Sequence, residues 1–589
     1  CLSRGLGDVY KRQTLTVTID SLPSYGTVQY LNGATWTDVT LSTVLTPAQL
    51  ASLRYVPPAS GEDSGGTLSY SVSDGTHLVT GTMNVTVIDD ANGSNNLYFS
   101  AVGPGMSGPD LYVLDSNGVV TAAPIRSDSS ATFGSNAGED GGYFQFGSTL
   151  YFFADTAATG GALFSLTQNG LIAPVSDGNG GTYGDPGENV HFTLFNGSLY
   201  FEAISLSGGD QLVKLNSDGS SQTIVLNPNG QEAFPGQNGG FTEFDGSLYF
   251  GAITQTTNGF NADLIKLDAD GTWTEISTRA PQNAQFGSAA GEDGGFIVYN
   301  NALYFNAFSD TIGTDTLFKL AAGSTTPVLV DPTGTLLSHE AQVPSAFHVF
   351  NGDLYFNGLS NALSNDTLFQ LDTAGNLTAL SFHGEALQEA GALGGFTDFA
   401  GSTYFVATTT ADGAQLFKLD TSGTITESAP NTNGDSFDTN ISSDFLQFAG
   451  SLYFDANDSS FGDGLFRLDS NGALAEVFTT SGMTDATNLT IYDGNLYFSA
   501  WTASGDELVE LHPDGTSQIF DINTRPGQSG FPGGDGGFAN FSPAPCYCRG
   551  TLIRTERGEK RVERLKIGDQ VMTAAGVPRQ IKWIGQRSY

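Results

Sequence analysis

Two thiols, Cys546 and Cys548, stand together in Cys546-Tyr-Cys-Arg-Gly-Thr-Leu-Ile, with Val562-Glu-Arg-Leu-Lys-Ile-Gly-Asp569 just beyond. A cysteine thiolate is a nucleophile suited to covalent catalysis. This is the one stretch whose residue identities point to a reaction rather than to a scaffold. Six histidines occur, at His77, His191, His339, His348, His383 and His512, none with a metal-ligand spacing and none in a repeated position. No nucleophile elbow, phosphate loop or base-bearing motif is present. The conspicuous acidic loops, Gly138-Glu-Asp-Gly-Gly142 and Gly291-Glu-Asp-Gly-Gly295, recur in phase with a repeat. They read first as structural turns, with a ring of Ca²⁺ or ligand sites as the functional alternative. Scattered polar positions elsewhere read as surface.

The C-terminal run resembles the opening of a Hint module, the self-cleaving domain shared by inteins and hedgehog C-terminal regions. Those modules begin with a cysteine, a short strand ending in Gly-Thr and a basic segment leading to Val-Glu-x-Leu-x-x-Gly-Asp. Val571-Met-Thr573 and Ile581-Lys-Trp-Ile-Gly585 extend the match toward the bacterial secreted branch. The resemblance implies that residues 546–589 hold about the first third of such a module. It also implies that Cys546 is the nucleophile and Pro545 carries the scissile carbonyl, the peptide bond becoming a thioester by N–S acyl shift. In the family a downstream Thr-x-x-His supplies the histidine that assists the amide, and no histidine follows His512 here. The resemblance assigns no role to Cys548, which reads as a small core residue.

Charge separates this end from the rest. The 589 residues carry a net charge of −40, but residues 14–545 hold only nine Lys/Arg against 57 Asp/Glu. Such a body does not bind nucleic acid, which needs a positive surface. It offers many hard oxygen ligands for Ca²⁺. No cysteine lies within it, so a disulfide framework there is excluded. No apolar run approaches the ~20 residues of a membrane-spanning helix. Residues 1–13 are basic, lack a starting Met and resemble a translated sequencing-adaptor tail; they are set aside as non-native.

Between these ends one unit repeats over residues 95–541. Leu-Tyr-Phe-x-Ala/Gly begins at Leu97, Leu150, Leu199, Leu248, Leu303, Leu354, Thr403 (as Thr-Tyr-Phe), Leu452 and Leu496. An apolar strand with a tight turn follows each, as in Leu416-Phe-Lys-Leu-Asp-Thr-Ser-Gly423, and Gly-Gly-Phe-x-x-Phe precedes most, as in Gly239–Phe244. A period near 50 with about four strands predicts a β-propeller of about nine blades. Leu-Tyr-Phe has no polar alternate, so both faces of that strand must be covered, as when blades stack. The array starts on a Leu-Tyr-Phe strand and ends on Gly536–Phe541, which predicts one blade stitched from both ends.

Residues 14–90 alternate at period two in Thr14–Ile19 and Met83–Ile88, and predict an all-β sandwich. With Leu22-Pro-Ser-Tyr-Gly, Tyr55-Val-Pro57 and Ser73-Asp-Gly75, the segment resembles a bacterial cadherin-like repeat. That resemblance suggests Asp63, Asp74, Asp89 and Asp90 as ligands that could hold Ca²⁺, against plain solvated turn carboxylates. The expectation is therefore a secreted or cell-surface bacterial protein of adhesin type, with an extracellular glycan or protein as ligand and a self-cleaving C-terminal module. The alternatives are a propeller enzyme acting on glycans and a Ca²⁺-stabilised spacer.

Overall fold

The computed structural model describes residues 16–580 apart from loop segments, the longest being 57–65, 86–95, 280–289, 338–346 and 542–551. Residues 1–15 and 581–589 also lie outside the described residues, which include neither the basic tail nor Ile581–Gly585. The chain divides into two compact units at Asn95/Asn96.

In the first unit, alternating β-branched strands build a four-stranded and a three-stranded sheet. Thr16–Ser21 lies between Val44–Leu45 and Gly66–Ser73 in one, while Thr27–Asn32 is central in the other. Ile19 and Leu45 from the first sheet meet Val28 from the second in one buried cluster. That is the sandwich arrangement expected of residues that alternate inward and outward.

The second unit is a β-propeller. Among the described residues, nine sheets of four strands or more lie between Asn96 and Phe541. Counting them in chain order, the first combines Asn96–Ala101, Asp110–Leu114 and Val120–Ala122 with the last strand, Phe538–Phe541. Phe538 pairs with Phe99 and Phe541 with Asn96, so the ring is closed by a strand from the far end of the array. In the other blades except the eighth the four strands follow chain order, each antiparallel to the next, while in blade 8 both Phe437–Asp438 and Leu446–Phe448 pair with Ser451–Asp458.

The repeated residues explain the stacking. Leu150, Phe152 and Ala154 pack on blade 1 through Tyr98 and Leu111, whereas Tyr151 and Phe153 face blade 3. Leu-Tyr-Phe strands thus bury both faces, and nine apolar clusters alternate with nine sheets around the ring. Gly-Gly-Phe-x-x-Phe serves the same end. Its first ring packs on the Phe of the neighbouring strand, as Phe396 on Phe405 at 5.2 Å, and its second on the Tyr, as Phe399 on Tyr404 at 6.2 Å. The glycines before it are set by crowding between blades. A Cβ on Gly536 would run into the Gly138 carbonyl of blade 2, and one on Gly239 into that of Gly291.

The Asp-x-x-Gly turns close the third and fourth strands. Asp420 Oδ1 accepts the Ser422 and Thr424 N–H groups, and Gly423 takes φ +81°. These carboxylates are consumed by their own turns. Blades are also latched side to side: Asn196, Asn300 and Asn351 each donate from Nδ2 to a carbonyl in the turn of the following blade, at 3.0–3.2 Å.

A separate four-stranded sheet follows, ordered Gly558–Arg561, Leu552–Thr555, Gln570–Met572 and Pro578–Gln580.

Candidate functional site

First strands of several neighbouring blades touch one another, among them Tyr143–Phe146 with Phe538–Phe541 and Thr242–Phe244 with Phe296–Tyr299, which puts them at the inner edge of the sheets. Along such a strand, positions one and four carry half-buried to buried aromatic residues, except for Leu489 at position one of blade 9. Position three is left open, occupied in blades 2 to 9 and then 1 by Gln145, Leu194, Glu243, Val298, Val349, Asp398, Gln447, Ile491 and Asn540. Leu194, Val298, Val349 and Ile491 are 39–49% exposed although large and apolar. The inner ring is therefore a surface of mixed polarity rather than a core.

One sector of this ring departs from the repeat at two places that touch. Position two of the first strand is Thr in blades 3, 4, 7 and 9 (Thr193, Thr242, Thr397, Thr490), but His348 in blade 6. The Leu of Leu-Tyr-Phe is replaced only in blade 7, by fully buried Thr403. His348 Nε2 lies 2.9 Å from Asp398 Oδ1 and 3.1 Å from Thr403 Oγ1, and Asp398 and Thr403 are directly opposed across the ladder. The His348 ring stacks on Phe396 at 5.3 Å with 10° between planes. Gln447 Nε2 of blade 8 donates to the Asp398 carbonyl at 2.6 Å. A half-open cavity of about 230 Å³ adjoins this group, lined by Phe347, His348, Phe396, Thr397 and Phe445 with the Gly394–Gly395 backbone.

Several acidic groups that the sequence suggested as surface are buried instead. Asp110, Glu202, Asp210, Asp263 and Glu507 are at most 4% exposed. The correction has a physical reason. In blades 1, 3 and 9 the residue before the apolar run of the third strand faces the loop crossing to the next blade, whose N–H groups need acceptors, whereas Glu202 sits on the second strand of blade 3 opposite Leu212. Glu507 Oε2 accepts the Ile522 N–H at 2.9 Å, Gln211 Oε1 that of Leu226, and Asp110 Oδ1 that of Ile125. Burial pushes Glu507 up to about 7. Burial, and secondarily the Asp210 charge, push Glu202 up to about 8, and burial beside Glu232 pushes Asp210 up to about 6.

The acidic loops are hydrogen-bonded turns. The Gly138 N–H donates to the Phe153 carbonyl and Gly142 N–H to Gly138, and Gly291 and Gly295 repeat the pattern in blade 5. Asp140 and Asp293 lie outside the described residues. Among the described residues no three His, Cys, Asp or Glu side chains are grouped to hold a metal ion. The suggested Ca²⁺ ligands Asp63, Asp74, Asp89 and Asp90 lie outside the described residues, as do Pro545, Cys546, Cys548 and Asp569.

Comparison with known proteins bears on the C-terminal end. Residues 545–589 match the Hint domain family. No curated protein is similar to the chain. Among solved structures, dipeptidyl peptidase 4 of Porphyromonas gingivalis is 10% identical with a TM-score of 0.40, over 72% of this chain and 64% of that one. The BP39L lectin of Burkholderia pseudomallei is 14% identical with a TM-score of 0.32, over 58% of this chain and 98% of its own. A puromycin hydrolase is 13% identical with a TM-score of 0.29, over 72% of this chain and 58% of that one, so the chain spans less than two thirds of its length. No residue role carries over at this level of similarity. Among the described residues no helix is long and apolar enough to cross a membrane.

The sequence singled out Thr403 as an irregular copy and His348 as an isolated histidine, without joining them. The joining signal was the period: His348 and Asp398 are 50 residues apart, one blade.

Proposed function

We propose that this chain belongs to a large extracellular or surface-attached bacterial protein of adhesin type. Its propeller is a binding platform, its N-terminal sandwich a cadherin-like spacer, and the segment from Cys546 the start of a self-cleaving module. The observation that carries this reading is the Hint family match at residues 545–589, which places a cysteine second in the matched segment. In the proposed step the Cys546 sulfur adds to the Pro545 carbonyl carbon. The carbon–nitrogen bond then breaks and the thiol proton ends on the released Cys546 amine, leaving residue 545 as a thioester. Water, a thiol or another nucleophile then resolves the thioester. A cut here would part an acidic body from a basic segment carrying ten Lys/Arg against four Asp/Glu. Ca²⁺ held by Asp63, Asp74, Asp89 and Asp90 would stiffen the spacer in this reading.

The test is cleavage of the complete parent protein. Dithiothreitol or hydroxylamine should speed it, Cys546→Ala should abolish it, and Cys548→Ala should leave it largely intact. Cleavage at this bond in the Cys546→Ala protein would rule out the nucleophile assignment. The chain ending at Tyr589 should stay uncut, because no histidine follows His512 to assist the amide nitrogen. A glycan-array and protein-capture screen of the same protein tests the platform.

A further inference from the structure

We propose that the recess between blades 6, 7 and 8, beside His348, binds a single neutral sugar ring. The proposal rests on the reading of the propeller as a binding platform and gives that platform a site and a ligand class.

Deviation from the repeat is the first argument. Eight blades place Leu where blade 7 has Thr403, and a fully buried Leu stabilises the fold by removing its apolar surface from water. Thr buries less apolar surface and adds a hydroxyl that must be bonded. The scaffold gains nothing from Thr403 that the other blades need. What Thr403 does is hold His348, itself out of place among threonines and apolar residues.

The hydrogen bonds fix the tautomer of the neutral histidine. Thr403 has one hydroxyl proton, and it points to the Thr397 carbonyl at 3.3 Å. Its oxygen therefore accepts from His348 Nε2, 3.1 Å away. Asp398 Oδ1 also needs a donor at Nε2, 2.9 Å away. Both partners demand Nε2–H, so in neutral His348 the lone pair sits on Nδ1. Nδ1 has no partner among the described residues, and neither does the Thr397 hydroxyl. Both residues line the cavity. The site thus presents one acceptor and one donor–acceptor against the rings of Phe347, Phe396 and Phe445.

Charge and size narrow the ligand. No Lys or Arg lines the recess, and the surrounding body has 57 acidic groups against nine basic ones, so an anion is repelled. A cation would need a carboxylate facing it, but Asp398 is engaged by Nε2 and is not among the lining residues. A volume of about 230 Å³ falls below the ~300–1,000 Å³ of sites for drug-sized ligands. A pyranose fits this combination: C–H groups on one face for the phenyl rings, and hydroxyls on its rim for Nδ1 and Thr397.

The test uses the full 589-residue chain and the methyl pyranosides of glucose, galactose, mannose, N-acetylglucosamine and fucose. Binding is read by saturation-transfer NMR and calorimetry. At least one should bind with a millimolar or tighter Kd. His348→Thr copies blades 3, 4, 7 and 9, and Thr397→Ala copies Ala539 of blade 1, so each introduces a residue the repeat already accommodates. Each should weaken binding about tenfold, the loss of one hydrogen bond. Thr242→Ala, the same position in blade 4, should change nothing. If no pyranoside binds, or tetramethylammonium binds instead, the ligand class is wrong. If a sugar binds equally well to correctly folded His348→Thr and Thr397→Ala proteins, the site is elsewhere on the platform and this proposal fails while the platform reading stands.

Discussion

Replacing Glu202 by Gln should stabilise the propeller in alkaline buffer and leave it nearly unchanged in acid. Glu202 is 2% exposed, and Asp210, 4% exposed, lies on the neighbouring strand with Oδ1 unbonded. The folded state holds the Glu202 proton up to about pH 8, against an ordinary value of 4.5. A folded pKa above the unfolded one means that the stabilising contribution is complete below about pH 4.5 and is lost as pH rises through 8. At 1.36 kcal/mol per pKa unit the ceiling is ~4–5 kcal/mol, and relaxation around the charge brings the expected effect to ~2 kcal/mol. For a domain of this size that is ~2–4 °C in Tm. Melting should be followed by calorimetry from pH 4.5 to 9 in high salt, which screens repulsion among surface carboxylates but not a buried charge. The variant should nearly match the natural chain at pH 4.5, exceed it progressively between about pH 5 and 8, and keep a constant margin above that. Equal slopes for the two proteins between about pH 5 and 8 would mean that Glu202 ionises freely and the argument fails.

Truncation after Gly534 removes the closing strand and should leave an unpaired edge on Asn96–Ala101, giving a lower Tm and self-association by gel filtration. Truncation after Pro545 is the control, and equal behaviour of the two would show that closure contributes nothing. Thr403→Leu restores the repeat and should raise Tm while weakening pyranoside binding; a lowered Tm would show that the hydroxyl network outweighs the lost apolar contact. The turn carboxylates Asp115, Asp218, Asp270, Asp372, Asp420, Asp469 and Asp514 are held below the ordinary range by hydrogen bonds within their turns. Their stabilisation is present above about pH 3.8 and is lost as pH falls through the lowered values, so Asp420→Asn should soften the acid-side loss of Tm measured at pH 2–4.

Much of the propeller is legible from residue type because its strands are read twice, once from each face. Leu-Tyr-Phe can be covered only by blades on both sides, and the unmatched strands at Leu97 and Phe538 name their own partner. The sugar recess is less legible. It depends on position two of one first strand meeting position three of the next, a relation set by blade twist rather than by any local pattern. Glu202 is hidden for a similar reason: its slot in Leu-Tyr-Phe-x-Ala holds Ser100, Phe153, Gly251, Asn306, Asn357, Val406, Asp455 and Ser499 elsewhere. That variety suggests surface, yet the slot faces the next blade, where each side chain meets a different crossing loop.

The pairing of Asn96 with Phe541 also sets how the ring answers a mechanical load. The chain enters the closing ladder at Asn96 and leaves it at Phe541, on the same rung. Tension carried along the backbone from either side therefore peels the antiparallel pair one rung at a time instead of shearing all its hydrogen bonds together. The rungs open in the order Asn96–Phe541, Leu97–Asn540, Tyr98–Ala539 and Phe99–Phe538. The ring is a buckle that yields at low force from its own fastening, and severing the chain beyond Phe541 would take the load off it.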